Sequence, residues 1–456
     1  MLLVATTSYA TPVVAQPAWA APLALVGATV IDPSGAVAER PDQTILVAQG
    51  RIVAIGPRAS VSIPRNARRI NAVGKFVIPG LWDAHVHFMN AGVTALPVLV
   101  AHGVTSVREM GGYLDSTRAW QAKLRDGSLI GPRLVTPGGM LESPRYLAGV
   151  VERSARVGGR LAPRILPYRV GIADSTAARR AVDSLRALGA DFVKFRTVAS
   201  AESFFAIVRE AHRAGLKVAG HNPGVVSYVV AADSGLDDIE HALGIFDADT
   251  RATVAQRFAT RRIWYTPTLV VSRAVTLSGD SAQKLIFGAG VALEPTRALA
   301  SPWLLSWWRM QVDERLADTS RAAALQSLRT LSASRDDVRA FAAAGVRMLA
   351  GTDAGSVLIY PGSSLHDELT LLVDAGLTPL QALWSATAGP AQFAGLESSV
   401  GSIAVGQVAD LVVLDANPLA NISNTRRIHA VVQSGRVYDR AALNAMLARV
   451  RAQNHN

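Results

Sequence analysis

The stretch Gly80-Leu81-Trp82-Asp83-Ala84-His85-Val86-His87-Phe88 closes the apolar run Lys75-Phe76-Val77-Ile78-Pro79 on two histidines one residue apart. In an extended strand, residues i and i+2 share a face, so His85 and His87 project together from the strand end. Imidazole is a common ligand for zinc and similar divalent ions. Two polar residues that merely finish a strand would look the same. The reading therefore turns on whether further ligand types follow downstream in comparable places.

They do follow. Lys194 lies in Ala190-Asp191-Phe192-Val193-Lys194-Phe195, and His221 ends Leu216-Lys217-Val218-Ala219-Gly220-His221. His241 ends Leu236-Asp237-Asp238-Ile239-Glu240-His241, and Asp353 ends Met348-Leu349-Ala350-Gly351-Thr352-Asp353. A lone histidine at a strand end is more often a satisfied core or surface group. The ordered set His-x-His, Lys, His, His, Asp is hard to reach by accident.

The runs that carry these residues alternate with helical patterns, which argues for βαβ units and a parallel sheet. Eight candidate strands are Phe76 to His87, Val104 to Glu109, Arg133 to Pro137, Phe192 to Arg196, Lys217 to His221, Asp238 to His241, Trp264 to Leu269, and Arg347 to Asp353. They fit a (β/α)8 TIM barrel, whose active sites sit at the C-terminal strand ends. No Gly-x-Gly-x-x-Gly follows a strand, which disfavours an open dinucleotide-binding sheet. Between the strands, Ala177 to Leu188 and Ser203 to Ala214 carry apolar residues at helical spacing, as do Leu365 to Ala375 and Pro379 to Ala388.

Outside the barrel the texture is strand and turn. Leu25 to Asp32 is followed by Thr44 to Gly56, with a hairpin signal at Gln49-Gly50, and β texture returns in Val408 to Asp415 and Ala430 to Tyr438. The expected organisation is a small β-sandwich domain built from 21–75 and 399–445, flanking a barrel at 76–398. The segment 271–333 is longer than a barrel connection needs. Trp303 and Trp307 share a helix face there, beside Trp308; packing against the barrel is the first expectation and a substrate-facing lid the second.

Composition narrows the function classes. Half of the 456 residues are hydrophobic and 18% are charged, which excludes global disorder. Lys and Arg number 46 against 35 Asp and Glu, but they are scattered, without a basic run or interleaved aromatics, so no nucleic-acid role is expected. The absence of cysteine removes disulfides, thiolate nucleophiles and Cys-zinc sites. Residues 1–31 hold no charged side chain, and Ala18-Trp19-Ala20-Ala21 resembles a cleavage site. This reads as a signal peptide over 1–20, lacking the usual positive n-region, with a periplasmic or secreted product; a cytoplasmic protein with an N-terminal extension is the alternative. No later stretch is long and apolar enough for a membrane span.

With these residues in place the chain resembles the amidohydrolase superfamily, in its imidazolonepropionase-like and metal-dependent dipeptidase branches. Pro79 to His87, Ile239-Glu240-His241, Gly351-Thr352-Asp353-Ala354-Gly355 and Gly406-Gln407-Val408-Ala409-Asp410-Leu411-Val412 carry the likeness, which runs from Leu23 to about Arg440. The resemblance implies that His85, His87 and Asp353 hold one divalent metal ion, with zinc the first expectation, and that His221 and His241 hold a second. Lys194 falls where many such enzymes carry a carbamylated lysine bridging two ions; a salt-bridged lysine beside a single metal is the alternative. The implied chemistry is hydrolysis of an amide, peptide-like or cyclic amide bond of a small-molecule substrate, by hydroxide formed on the metals, with Asp353 as general acid and base. An esterase, lactonase or organophosphate hydrolase would use the same centre, and a non-catalytic metal-binding barrel is a third reading. Homo-oligomerisation stays open.

One departure concerns substrate. Dipeptide-cleaving members often carry a tyrosine two residues after the fifth-strand histidine, and here that position is Pro223. Of the other candidates, Tyr265 and Thr266 are expected to line the pocket, Arg108 and Glu109 to form a structural ion pair, and His366 to lie at a helix start on the surface.

Overall fold

The computed structural model of the chain describes residues 21–156, 158–288, 296–317 and 321–455. The expected signal peptide over 1–20 lies outside them. Eight parallel staves form a barrel: Leu81–Val86, Val104–Glu109, Arg133–Val135 continued by Met140–Glu142, Val193–Phe195, Val218–Gly220, Asp238–Glu240, Trp264–Thr266 and Arg347–Met348. The third stave is broken in the middle. Its first piece pairs with the second stave and its second piece with the fourth, and Gly138 turns the chain between them at φ 68°. That conformation favours glycine.

The barrel closes where its first and last staves meet. The Ala84 N–H donates to the Ala350 carbonyl at 2.9 Å, and the Asp353 N–H donates to the His85 carbonyl at 2.7 Å. Two of the residues singled out from sequence are thus stitched together by their own backbones.

The run from Phe76 to His87, expected as one strand, is divided at Gly80. Phe76–Pro79 pairs antiparallel with Leu411–Leu414 in the small domain, and only Leu81–Val86 enters the barrel. A Cβ at Gly80 would lie 2.1 Å from Thr105 Oγ1, so the crossover needs the bare backbone. Both ends of the chain meet in that small domain as one eight-stranded sheet, with Leu25, Val30, Ile45, Val77, Leu411, Val413 and Val432 among its buried core. Because Phe76–Pro79 feeds the first stave from its N-terminal side, the small domain lies opposite the face where the stave ends open.

The helices fall close to their expected positions. Ser175–Ala187 is capped by Asp174 and Ala201–Arg213 by Ser200, each side chain accepting a backbone N–H of the first turn. The long segment after the seventh stave contributes helices Leu269–Ala274, Gly279–Phe287, Pro302–Ala317 and Arg321–Ala343. Among the described residues, no helix is long and apolar enough to cross a membrane.

Close packing inside the barrel gives a first prediction. A Cβ at Gly220 would fall 2.1 Å from the Phe195 ring, which is fully buried between neighbouring staves. Gly220→Ala is expected to lower stability by about 1–3 kcal/mol, read as a drop in denaturation midpoint. An unchanged midpoint would show that the Phe195 ring can move aside.

Candidate metal centre

Each ligand candidate is placed by the end of a stave. His85 is the penultimate residue of the first stave and is fully buried, while His87 stands just beyond the stave's end at Val86. His221 and His241 follow the fifth and sixth staves directly, and Asp353 lies beyond the eighth, tied back to His85. His241 and Asp353 adopt φ of 69° and 60°. Left-handed backbone is uncommon outside glycine and clusters at functional sites. It turns both side chains out of the sheet ladder into the barrel mouth.

The side chains converge. His87 Nε2 is 3.1 Å and His85 Nε2 is 3.5 Å from Asp353 Oδ1, and ligand atoms of the three residues lie within 4.8 Å of one another. The imidazoles run in a chain: ring centroids are 5.3 Å apart from His87 to His85, 4.5 Å from His85 to His241, and 4.5 Å from His241 to His221. Lys194 is fully buried in the fourth stave, its Nζ 4.0 Å from Glu240 Oε1.

Ring orientation is set from behind. His85 Nδ1 lies 2.8 Å from Glu240 Oε2, and His241 Nδ1 lies 2.8 Å from Thr268 Oγ1. A carboxylate on Nδ1 holds the proton there and leaves Nε2 as the free lone pair. Glu240 is itself held by Arg108, whose guanidinium donates to Glu240 at 2.8 Å, to Asp238 at 2.5 Å and to the Ala84 carbonyl at 2.5 Å. On the other flank, Asp83 accepts from the Thr352 hydroxyl at 2.6 Å and from the His85 N–H at 3.2 Å, and the Ser356 hydroxyl donates to Asp353 Oδ2 at 2.7 Å.

Titration follows this geometry. Burial pushes His85 down to about 4 against the pull of Glu240, and burial with the neighbouring His85 takes His241 to about 3. Burial, then Lys194, holds His221 well below the usual imidazole range. Burial would raise Asp353, but His87, His85 and His241 outweigh it and keep the carboxyl below the usual carboxylate range. Neutral imidazoles around a standing carboxylate are the ligating forms for a divalent cation.

Two atoms test whether a cation fits. His85 Nε2 and Lys194 Nζ are both buried without a hydrogen-bond partner. An unsatisfied buried polar group costs about 1–3 kcal/mol, and a cation among these groups would satisfy His85 directly. The donor set, imidazole nitrogen and carboxylate oxygen, suits zinc and similar ions. The residues fit the group.

The centre opens into a cavity of about 300 Å³, lined by His87, His221, His241 and Asp353 on one side and by Tyr146, Arg196 and Trp307 on the other. Trp308 donates its indole N–H to the Gly355 carbonyl at 3.1 Å. Trp303 and Trp307 do share a face, with the Arg164 guanidinium 3.6 and 5.3 Å from their rings. The insertion thus both packs on the barrel and supplies a cavity wall.

Three secondary expectations are corrected. Arg108 and Glu109 do not pair, because adjacent strand residues face opposite ways; Arg108 braces Asp238 and Glu240, while Glu109 accepts the Phe88 and Gly111 N–H groups. Tyr265 and Thr266 do not line the cavity. Tyr265 packs on Phe341 with centroids 5.2 Å apart, and Thr266 bonds to Asp238 behind the site. His366 is 1% exposed, held between Thr425 Oγ1 and the His102 carbonyl, because the 422–426 turn covers the helix start. The residues that the sequence reading passed over are Asp238, Glu240, Ser356 and Arg196. Two acids alternating in the buried sixth stave were the available signal for the first pair.

Comparison with known proteins agrees with this architecture. The amidohydrolase family model matches residues 76–438. Imidazolonepropionase of Vibrio cholerae serotype O1 is 25% identical over 413 residues, covering 86% of this chain and 92% of that protein. Among solved structures, bottromycin amidohydrolase superposes with a TM-score of 0.72 at 24% identity, over 95% of this chain and 90% of its own. Ochratoxinase of A. niger gives 0.68 at 19%, over 92% of this chain and 96% of its own.

Proposed function

The chain belongs to the amidohydrolase family of metal-dependent hydrolases acting on C–N bonds, and on that premise we propose that it cleaves an amide, peptide-like or cyclic amide bond of a small molecule. His85, His87 and Asp353 would hold one divalent ion, and His221 and His241 a second, with Lys194, as a carbamate, a further oxygen ligand. The observation that carries this reading is the unpaired His85 Nε2 facing Asp353 within a run of four imidazoles.

Bound divalent ions would supply Lewis acidity toward the substrate carbonyl and the attacking water. The chain's own residues handle the protons. Asp353 Oδ2 is oriented by the Ser356 hydroxyl and Oδ1 by His87. As a carboxylate, Asp353 can accept a proton from water as the oxygen adds to the acyl carbon, then deliver it to the nitrogen as the C–N bond breaks. Glu240 keeps His85 in one tautomer throughout. For Lys194, burial lowers the ammonium to about 8. The neutral amine is therefore accessible to add to carbon dioxide, forming an N–C bond and releasing a proton, which gives an anionic oxygen ligand.

Elemental analysis of protein purified without chelators, with intact mass of the lysine peptide, tests the centre. Two equivalents of metal and one carboxyl adduct on Lys194 are expected. One equivalent with plain lysine would reduce the site to a mononuclear one, and none would overturn the reading. Chelation is expected to remove activity and lower the thermal midpoint, since a ligand that binds only the native state stabilises it, and added Zn²⁺ should restore both. Activity that survives complete metal removal would sink the proposal. The charge-free N-terminus supports an exported product, to be checked by N-terminal sequencing of the mature protein.

A further inference from the structure

The cavity beside the centre carries a cation, Arg196, that no carboxylate among the described residues pairs with. Arg196 lies two residues beyond Lys194, and its N–H still bonds to the Leu141 carbonyl at 3.0 Å, so the strand register persists. Residues i and i+2 of a strand share a face. Lys194 and Arg196 therefore point the same way, one within the barrel and one at its mouth, where Arg196 lines the cavity with His221 and Asp353.

Its charge is presented and left open. Arg196 Nη1 is buried without a hydrogen-bond partner. Among the described residues no carboxylate lies within salt-bridge distance of Arg196 or Arg153, whereas Arg169, also at the cavity, is paired with Glu142. The Tyr146 ring lies near both open guanidiniums, 4.3 Å from Arg196 and 5.7 Å from Arg153. Stacking fixes the planar group without satisfying its N–H donors. Arg196 as a whole is half-buried, but a buried donor left unused at Nη1 is costly unless an anion completes it, and a carboxylate matches the guanidinium geometry.

We propose that Arg196, backed by Arg153 near the same Tyr146 ring, is a specificity residue that reads a carboxylate on the substrate, selecting anionic amides such as N-acylated amino acids over their neutral counterparts. The identity of the cleaved bond rests on the hydrolase reading above; the anion site rests on the arginines alone.

The test uses the metal-loaded full chain and two matched pairs: N-acetyl-L-phenylalanine against its amide, and glutaryl p-nitroanilide against butyryl p-nitroanilide. Binding is measured by calorimetry and turnover by kinetics. In at least one pair the anionic member should bind about tenfold or more tightly, and Arg196→Met should bring the ratio close to unity through KM more than kcat, with Arg196→Lys recovering part of it. Arg153→Gln, at an exposed position, should lower the preference by a smaller factor and reduce its sensitivity to salt, which covers the case of an Arg196 variant that fails to fold. A preference in neither pair, or one that persists undiminished in Arg196→Met because the metals hold the carboxylate, overturns the proposal. Equal turnover of the two members in both pairs would leave the hydrolase reading standing and remove the anion site. An Arg196-dependent preference in binding without turnover of either pair would support the anion site and count against cleavage of these bonds.

Discussion

Asp353→Asn is expected to lower kcat for an amide substrate by roughly a thousandfold or more while leaving the fold in place. The carboxamide has nearly the same shape and can still accept the Ser356 hydroxyl, now 2.7 Å from Asp353 Oδ2. It also tolerates the left-handed backbone at φ 60°, where asparagine is as much at home as aspartate. What it cannot do is take up and release a proton, or carry negative charge against the His85 and His87 nitrogens. Circular dichroism and the thermal midpoint should stay near the parent's while turnover disappears. Near-normal turnover would remove Asp353 from the acid-base role, and collapse of the fold would make it a structural residue first.

The largest stability effect is expected at Arg108. Its guanidinium is 2% exposed and bonds at once to Asp238, Glu240, Thr266 and the Ala84 carbonyl. Burial and then the Glu240 charge push Asp238 up to about 8, whereas for Glu240 burial is outweighed by Arg108, Lys194 and His85, which hold it well below its ordinary range. Arg108→Met would leave two buried acidic side chains, Asp238 and Glu240, side by side without the cation they share. Breaking such a network costs about 3–5 kcal/mol, a large share of the roughly 5–15 kcal/mol that a folded domain has. The damage should reach the metal as well, because Glu240 orients His85; loss of such a backing partner costs about 10–100-fold in affinity. A urea midpoint and a zinc titration read the two effects separately. Parent-like values in both would mean that the brace is dispensable.

Arg108 also marks where sequence reading stops. His85, His87, Lys194, His221, His241 and Asp353 stand out in the sequence because each lies at or beside the end of an apolar strand; the structure sets His87, His221, His241 and Asp353 around one cavity, with His85 buried against Asp353 and Lys194 buried 4.0 Å from Glu240. The brace was not legible in the same way, since Arg108 and Asp238 are 130 residues apart and only the curl of the barrel opposes them. Nor did anything local say that the third stave, expected over Arg133 to Pro137, would be continued beyond Gly138 by a second piece that pairs with a different neighbour. Strand limits ran past the observed ladders at His241 and Asp353 for a physical reason: those residues leave the extended conformation to aim at the cavity.

The closure of the barrel also dictates when function can emerge during synthesis. Thr352 bonds to Asp83 across 269 residues, beside the two staves that carry His85 and Asp353. Contacts so distant along the chain form late and slow the search for the native state. Until the eighth stave has left the ribosome, the first has an open edge, and Phe76–Pro79 waits longer still for Leu411–Leu414. Apolar strands with unpaired edges invite association with other chains. A nascent chain of this protein therefore has most to gain from a chaperone over its first half, and only the docking of the last stave brings Asp353 against His85.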